Sequence, residues 1–184
     1  MNSLLDRFLR RTRFLKVIRN LPKNAIVCDI GCGYNATFLL EISSFLKYGI
    51  GLDRSVGNFA NQKIKLKHVQ IEKIIPLRSK EFDVVTMIAV LEHLNYPQEV
   101  LDEVYRILKN GGRLILTTPT PLVKPILETL AGLRLINKKD IQEHKNYFWP
   151  ENIKKMLKLA NFKEENIKTK FFEFGLNNLV IAKK

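Results

Sequence analysis

Residues Ala25-Ile26-Val27-Cys28-Asp29-Ile30-Gly31-Cys32-Gly33-Tyr34-Asn35 form the stretch that decides the predicted fold. Its first half is apolar and β-branched, which predicts a short buried strand. Gly31 and Gly33 then predict a sharp turn, where the backbone comes close to another group. If a helix follows, its first amide groups face this turn and can bind the polar end of a ligand. The stretch is typical of a nucleotide-type cofactor loop. The alternative is a glycine turn that only packs the next helix.

Strand and helix patterns alternate along the rest of the chain. Strands are predicted at 47–53, 64–70, 82–88 and 113–118, and helices at 37–44, 56–63, 98–109 and 151–160. Asn110-Gly111-Gly112 predicts a glycine C-cap for the helix at 98–109. Two final strands, at 167–174 and 176–182, are joined by a turn at Gly175. This order predicts an α/β fold with a Rossmann-like, doubly wound sheet of seven strands, mostly parallel with one antiparallel strand near the C-terminus.

The chain of 184 residues suits a single domain, 1–184. Residues 1–22 contain a basic amphipathic helix, and residues 119–150 form a proline-punctuated insertion with a helical piece at 126–133. The amphipathic helix packs by default on the body of the domain. The alternatives are that it caps the site, contacts an anionic membrane surface through residues 2–20, or binds another anionic partner.

The net charge of +13 is the most unusual bulk property of the chain. Such a charge attracts nucleic acid, anionic lipid headgroups or an acidic substrate. A lysine-rich composition without any partner would give the same value. The sequence has no arginine-glycine or aromatic-basic cluster of the kind that binds RNA, so nucleic acid is not the favoured partner.

Cys28 and Cys32 are the two cysteines of the chain, and both lie in or beside the glycine loop. Their spacing is not Cys-x-x-Cys, and no second pair exists to complete a zinc site, so we predict structural thiols and no metal. The first apolar residues are interrupted by charges, unlike a secretory signal, and no run is long enough to span a membrane. We therefore expect a cytoplasmic protein.

Asp53 ends the second predicted strand, about twenty residues after the glycine loop, a position that binds ribose hydroxyls in nucleotide-binding folds. Its alternative role is to cap a helix near Val56. The ends of the next two strands, at 70–72 and 87–89, are expected at the same edge of the sheet. Ligands of open parallel sheets bind beyond the carboxyl ends of the strands, so these segments predict one site.

Four motifs in order now resemble the class I S-adenosylmethionine-dependent methyltransferases, specifically the type 11 group. They are Val27-Cys28-Asp29-Ile30-Gly31-Cys32-Gly33, the segment 49–55, Phe82-Asp83-Val84-Val85 with 90–94, and the turn at 108–114. The resemblance covers residues 24–118. It implies S-adenosylmethionine as cofactor, S-adenosylhomocysteine as product, and ten cofactor-binding residues: Asp29, Gly31, Cys32, Gly33, Asp53, Arg54, Gln70, Ile71, Glu72 and Ile88.

The resemblance also implies a role for most of these positions. The backbone of Gly31 and Gly33 would lie against the methionine part, with Asp29 supporting the loop. Asp53 would accept both ribose hydroxyls, with Arg54 near the adenosine. Gln70 stands where the family usually has an aspartate for the adenine amino group, with the Ile71 amide and Glu72 beside it, and the Ile88 carbonyl would meet the amino group of the cofactor. Asn35 replaces a common third glycine, and asparagine tolerates a positive φ.

Catalytic residues are less clearly indicated than donor-binding residues. Methyl transfer to oxygen or nitrogen can need a base, and the candidates are His93, His144 and Glu92. A structural role for the Glu92-His93 pair and a surface position for His144 are the alternatives. In small methyltransferases the region after strand five commonly walls the substrate pocket, which places His144 and the insertion 119–150 on the substrate side.

The acceptor is predicted to be a small molecule, such as a sugar or lipid precursor, and an anionic one would suit the charge. The motifs of amino-group methylation on bases and of cytosine methylation are missing from the sequence. We expect a monomer or a weak dimer. The alternatives are a basic RNA-associated methyltransferase and a cofactor-binding module without catalysis. A dehydrogenase is less favoured, because the loop lacks the full Gly-x-Gly-x-x-Gly.

Overall fold

A computed structural model of the chain describes residues 4–125 and 146–184, with the backbone alone for residues 4–6. The helices of this part are α1 (Leu4–Ile18), α2 (Thr37–Ile42), α3 (Pro97–Ile107) and α4 (Pro150–Leu159). The strands are β1 (Ile26–Ile30), β2 (Tyr48–Asp53), β3 (Phe59–Ala60), β4 (Ile64–His68), β5 (Phe82–Ile88), β6 (Leu108–Pro119), β7 (Ile167–Phe172) and β8 (Asn177–Lys183).

One sheet contains these strands in the order β3-β4-β2-β1-β5-β6-β8-β7. The strands β4, β2, β1, β5 and β6 pair in parallel, whereas β8 is antiparallel to both of its neighbours. The predicted doubly wound α/β sheet with an antiparallel strand near the C-terminus is therefore confirmed. The predicted count of seven strands is wrong by one, because β3 forms a short antiparallel edge next to β4.

The predicted helix at 56–63 is also wrong, since this segment forms β3 and a tight connection to β4. The side chain of Asn61 accepts hydrogen bonds from the amides of Lys63 and Ile64 at 2.8 and 2.6 Å. An asparagine that bonds the amides that follow it stabilises a turn and competes with helix formation. The apolar residues of this segment therefore pair with β4 instead of forming a helical stripe.

The predicted glycine C-cap is wrong because α3 already ends at Ile107. Gly111, with a φ of +80°, lies inside β6 and donates its amide to the carbonyl of Lys184 at 3.1 Å. The β5–β6 pairing shifts register between the pairs Phe82↔Leu108 and Val84↔Arg113, which is a β-bulge. Pairing with the last residue of the chain, which local sequence does not reveal, makes these glycines part of a strand.

Two apolar cores cover the two faces of the sheet. One contains Phe14 and Val17 of α1 together with Phe38 and Leu39 of α2. The other is built from the inner faces of α3 and α4, namely Val100, Leu101, Val104, Ile107, Ile153 and Leu157. Successive strand residues point to opposite faces, which is why the apolar runs of the central strands supply both cores. Phe14 and Val17 of α1 are thus buried against the sheet, as the amphipathic pattern predicts, whereas Phe8 and Leu15 of the same helix are exposed.

Most of the insertion 119–150, including the predicted helical piece at 126–133 and His144, lies outside the described residues. The single-domain organisation of residues 1–184 stays a prediction. Within residues 4–125 and 146–184, no helix combines the length and the apolar character that crossing a membrane requires.

Candidate active site

The glycine loop lies between β1 and α2, at the carboxyl edge of the sheet. Gly31 and Gly33 have φ values of +71° and +72°, a backbone conformation that glycine adopts without strain. A Cβ atom on Gly31 would lie 2.4 Å from Cγ2 of Val90, so only glycine fits beneath this residue. The amide of Gly31 donates to the carbonyl of Leu52 at 2.8 Å, which attaches the loop to β2.

Asn35 does not take the left-handed conformation that its resemblance to a third glycine implies. Ala36 has the positive φ instead, at +44°, directly before α2 begins. Ala36 is completely buried, so packing against the helix and sheet holds this uncommon backbone geometry in place. Asn35 still lines the cavity beside the loop.

Asp53, the last residue of β2, joins the two strand ends through its carboxylate. One oxygen accepts the amide of Gly33 at 2.8 Å, and the other accepts the amide and the hydroxyl of Ser55 at 2.8 and 2.5 Å. Burial alone raises the pKa of Asp53, but these hydrogen bonds and the nearby charge of Arg54 bring it below its usual value. Asp53 is therefore a fixed, half-exposed negative charge at the loop.

Asp29 lies within β1 and is only 2% exposed. Its carboxylate accepts a hydrogen bond from the hydroxyl of Thr86 on β5 at 2.6 Å. Burial raises its pKa to about 7, with a further increase from the charge of Asp53, although the bond from Thr86 lowers it. This hydrogen bond joins Asp29 to the neighbouring strand, and Asp29 forms the floor of the site.

Two cavities meet at this edge of the sheet, and both are lined by Gly31 and Ala89. The first, of about 460 Å³, contains Asp29, Gly33 and Ile88 in its wall. The second, of about 480 Å³, contains Asp53. Together they bring all ten predicted cofactor-binding residues to one site: Asp29, Gly31, Cys32, Gly33 and Ile88 at the first cavity, and Gly31, Asp53, Arg54, Gln70, Ile71 and Glu72 at the second.

The first cavity also has a wall that the sequence did not predict as a binding site. Leu9, Arg10, Arg13 and Phe14 of α1 line it opposite the glycine loop. Nε of Arg13 is buried and has no hydrogen-bond partner among the described residues. The basic, amphipathic pattern of residues 2–20 was a signal for this wall, since capping of the site was one of its interpretations.

Ala89, where the two cavities meet, lies in the segment 87–89 that the sequence places at the site, but its backbone conformation was not predicted. It has a φ of +54°, which is uncommon for a residue with a side chain, and its amide donates to the carbonyl of Thr117 at 2.9 Å. Such strained positions persist where the surrounding structure holds them and are frequent at binding sites. The bend turns the chain away from β5 immediately after Ile88.

Comparison with known proteins identifies the family of this fold and loop. The family model described as "Methyltransferase domain" matches residues 1–166. The chain belongs to this methyltransferase domain family. The predicted family is thereby confirmed, and the strand-end cavities of this methyltransferase domain are its candidate active site.

The alignments with two curated relatives each include about half of this chain and about half of the relative. An uncharacterized protein of Methanocaldococcus jannaschii is 37% identical over 102 residues, which are 55% of this chain and 43% of that protein. The ubiquinone biosynthesis O-methyltransferase of Dechloromonas aromatica is 26% identical over 109 residues, 58% of this chain and 47% of that protein. The chain thus spans about half the length of the curated relatives that it matches.

A solved structure shows the same fold over nearly the whole methyltransferase domain. The SAM-dependent methyltransferase from Archaeoglobus fulgidus superposes with a TM-score of 0.69 and covers 97% of this chain and 94% of that chain. The sequence identity is 21%, so this likeness concerns the fold.

The candidate catalytic residues of the methyltransferase domain follow β5. Glu92 is buried, and one of its carboxylate oxygens accepts the hydroxyl of Thr118 at 3.0 Å. Its Oε1 atom has no hydrogen-bond partner within the described part of the chain. Burial raises the pKa of Glu92, against the hydrogen bond from Thr118 and the charges of His93 and Arg13. His93 itself lines the cavity of Asp53, while His144 lies outside the described residues.

Proposed function

We propose that this chain transfers the methyl group of S-adenosylmethionine to a small-molecule acceptor. The observation that carries the proposal is the pair of cavities that adjoin at Gly31 and Ala89, with Asp53 fixed by the amide of Gly33. A donor with a nucleoside half and an amino-acid half needs two such neighbouring compartments. Membership of the methyltransferase domain family supports the same reaction.

The adenosine half is assigned to the cavity of Asp53. The Asp53 carboxylate keeps acceptor capacity beyond its bonds to Gly33 and Ser55, because each carboxylate oxygen has two lone pairs. Three of these four sites are occupied, so the remaining one accepts a ribose hydroxyl. Gln70 and Glu72, which bond each other at 3.0 Å, offer polar groups to the adenine edge, and Ile71 offers an apolar surface and its amide.

The methionine half is assigned to the cavity of the glycine loop. This half carries an ammonium and a carboxylate, and the cavity wall carries the acid Asp29 and the bases Arg10 and Arg13. A Cβ atom on Gly33 would meet no described atom within 4 Å, so the backbone there is open to a ligand. The carbonyl of Ile88 accepts the ammonium. The charges and the space present in the chain thus fit the donor.

When bound, S-adenosylmethionine supplies an already activated methyl group, so the chain has to position the acceptor and exclude water. α1 forms one side of the first cavity. Among the residues named as bases, His93 lines the cavity of Asp53, whereas Glu92 is buried, lines neither cavity and accepts the hydroxyl of Thr118. We therefore assign proton removal to His93 and treat Glu92 as a positioning residue next to it in the chain.

The acceptor is proposed to be a small molecule that is methylated on oxygen. The support is the name of several curated relatives, which are ubiquinone biosynthesis O-methyltransferases. An oxygen nucleophile that loses a proton as it reacts also needs a base, and His93 is the candidate base that lines one of the cavities. A partly anionic acceptor, such as a sugar acid or a lipid precursor, suits the positive charge of the chain.

Calorimetric titration tests the donor assignment. S-Adenosylmethionine and S-adenosylhomocysteine should bind with one-to-one stoichiometry, whereas a nicotinamide dinucleotide of the dehydrogenase alternative should not. The absence of binding at about 1 mM cofactor, which corresponds to roughly 4 kcal/mol of binding free energy, would refute the proposal.

Formation of S-adenosylhomocysteine, measured with a panel of phenols, hydroxy acids, sugars and isoprenoid catechols, tests the acceptor class. Turnover with one of these classes, abolished in His93→Gln while donor binding persists, is the expected result. Donor binding without turnover on any class would favour the module without catalysis, and turnover on RNA alone would favour the RNA-associated alternative.

A further inference from the structure

The outer face of α1 and the turn between β7 and β8 form one exposed apolar surface beside the candidate active site. The helix face contains Phe8 and Leu15, and the turn contains Phe174. Phe8 is 63% exposed and Phe174 is fully exposed, although both are large apolar side chains. Leu122, which follows β6, is also exposed. We call these four residues the apolar rim.

Hydrogen bonds and close approach place the parts of the apolar rim next to one another. Thr12 lies between Phe8 and Leu15 on the helix, and residues four and three apart share one face. The hydroxyl of Thr12 donates to the carboxylate of Glu173, the residue before Phe174. A Cβ atom on Gly175 would lie 3.9 Å from Cδ1 of Leu122, which brings that side chain to the same turn.

The charge around the apolar rim is strongly positive. Of the five basic residues of α1, Arg10 and Arg13 line the first cavity on the opposite side of the helix and Arg11 pairs with Glu41, so Arg7 and Lys16 contribute to the charge of the rim. Arg7 and Arg19 are exposed on the helix and just beyond it, and Lys124 is exposed beyond Leu122. The acidic neighbour Glu173 is already engaged by Thr12 and Asn177. A surface that combines exposed aromatic side chains with an excess of cations fits a partner with an apolar interior and an anionic surface.

An anionic lipid bilayer has this combination. Helices of this kind lie in the plane of the membrane interface, with aromatic and aliphatic side chains inserted and basic side chains at the headgroups. We propose that the apolar rim and the basic residues around it form a peripheral binding surface for an anionic membrane. RNA phosphates would contact the basic side chains. Proteins that bind single-stranded RNA stack its bases on aromatic side chains along a groove, and the apolar rim does not form such a groove.

The position of this surface gives it a consequence for the reaction, which rests on the proposed function. The opposite side of the same helix supplies Arg10 and Arg13 to the wall of the donor cavity. Docking of the apolar rim on a bilayer would therefore hold the first cavity one helix diameter, roughly 10 Å, from the lipid surface. An acceptor with a lipid-soluble part, which concentrates in that bilayer, is the substrate class that we infer.

Co-sedimentation of the full chain with vesicles tests the proposal. Vesicles of phosphatidylcholine with about one third phosphatidylglycerol should bind the chain, vesicles of pure phosphatidylcholine should bind it weakly, and about 0.5 M salt should reduce binding. The double variant Phe8→Ser/Phe174→Asn should lower the partition coefficient by roughly tenfold or more. Arg7→Gln/Arg19→Gln should lower it by roughly fivefold for each charge removed.

Matched control variants lie far from the apolar rim. Phe59→Ser changes an exposed phenylalanine of β3, at the opposite edge of the sheet, and Lys155→Gln changes an exposed cation of α4, on the opposite face. Phe59→Ser should leave vesicle binding unchanged. Lys155→Gln should lower the partition coefficient by less than Arg7→Gln or Arg19→Gln does. Equal losses in control and rim variants would overturn the proposal, as would binding to RNA in place of vesicles. The rim variants should keep the donor affinity of the unmodified chain. If the unmodified chain binds vesicles but does not bind S-adenosylmethionine, only the proposed function is refuted.

Discussion

Asp29 and Asp53 lie at the ends of two strands that pair directly with each other, yet their surroundings shift their pKa values in opposite directions. Asp29 is enclosed between β2 and β5, receives one hydrogen bond from Thr86, and has its pKa raised to about 7. Asp53 ends β2 at the open edge, receives bonds from Gly33 and Ser55, and has its pKa lowered. The number of hydrogen bonds and the access of water decide which carboxylate is a reliable charge.

This difference assigns separate roles to the two acids. Asp53 is ionised at any physiological pH and is suited to accept a ribose hydroxyl of the donor. Ionisation of the buried Asp29 carboxylate is unfavourable, so this residue lowers the stability of the fold near neutral pH. Its presence is explained if it faces the ammonium group that the first cavity is proposed to bind. The two charges also repel each other, which raises the pKa of Asp29 further.

Removal of the Asp53 carboxylate should give the largest effect on donor affinity. Asp53→Ala should weaken S-adenosylmethionine binding by roughly a hundredfold, because a charge-assisted hydrogen bond to the ribose and the carboxylate that holds Gly33 are both lost. Calorimetric titration measures the change, with Asp29→Asn as the matched variant at the neighbouring strand end. A smaller loss in Asp53→Ala than in Asp29→Asn would reverse the roles assigned to the two residues.

Neutralisation of Asp29 should change stability in a manner that depends on pH. The unfolded chain loses the proton of Asp29 near its usual pKa, whereas the folded chain keeps it up to about pH 7. Stability therefore falls as the pH rises through this window, and Asp29→Asn should remove that fall. From about pH 4 to about pH 8, we expect the unfolding free energy of the variant to gain roughly 1–3 kcal/mol relative to the unmodified chain.

Urea denaturation at several pH values measures this change, and Asp83 provides the control of opposite sign. Asp83 of β5 bonds Lys109 at 2.7 Å and the amide of Ile26, and these bonds outweigh its burial and lower its pKa. Its contribution to stability is present above the usual aspartate pKa and is lost on acidification. Asp83→Asn should thus be less stable at neutral pH and lose this difference in acid. A pH-independent difference for Asp29→Asn would contradict the interpretation.

Removal of the Ser55 hydroxyl should give the smallest effect. Ser55→Ala takes one of three hydrogen bonds from Asp53 and leaves the amide bond of the same residue in place. Donor affinity should fall by about fivefold or less, since a single hydrogen bond contributes about 1 kcal/mol. Titration of donor binding at acidic pH should also show a higher pKa for Asp53. An effect as large as that of Asp53→Ala would mean that the serine contacts the donor itself.

Segments whose structure is fixed by near neighbours were predicted well from the sequence. The apolar runs of β1, β2 and β5 and the glycine turn after β1 carry their own periodicity and turn chemistry. The segment 56–63 was predicted wrongly because the side chain of Asn61 turns the chain toward β4. Gly111 and Gly112 were predicted wrongly because their partner is Lys184, more than seventy residues away.

The sequence by itself determined the order of the central strands and the main helices, the glycine loop, and the position of Asp53 beside that loop. These features depend on local spacing, which is written in consecutive residues. The tertiary structure alone decided that Asp29 is buried while Asp53 is half-exposed, that α1 lines the first cavity, and that Ala89 bends the chain where the cavities meet. Burial, pKa and cavity shape arise from segments that are distant in sequence, so no local pattern records them.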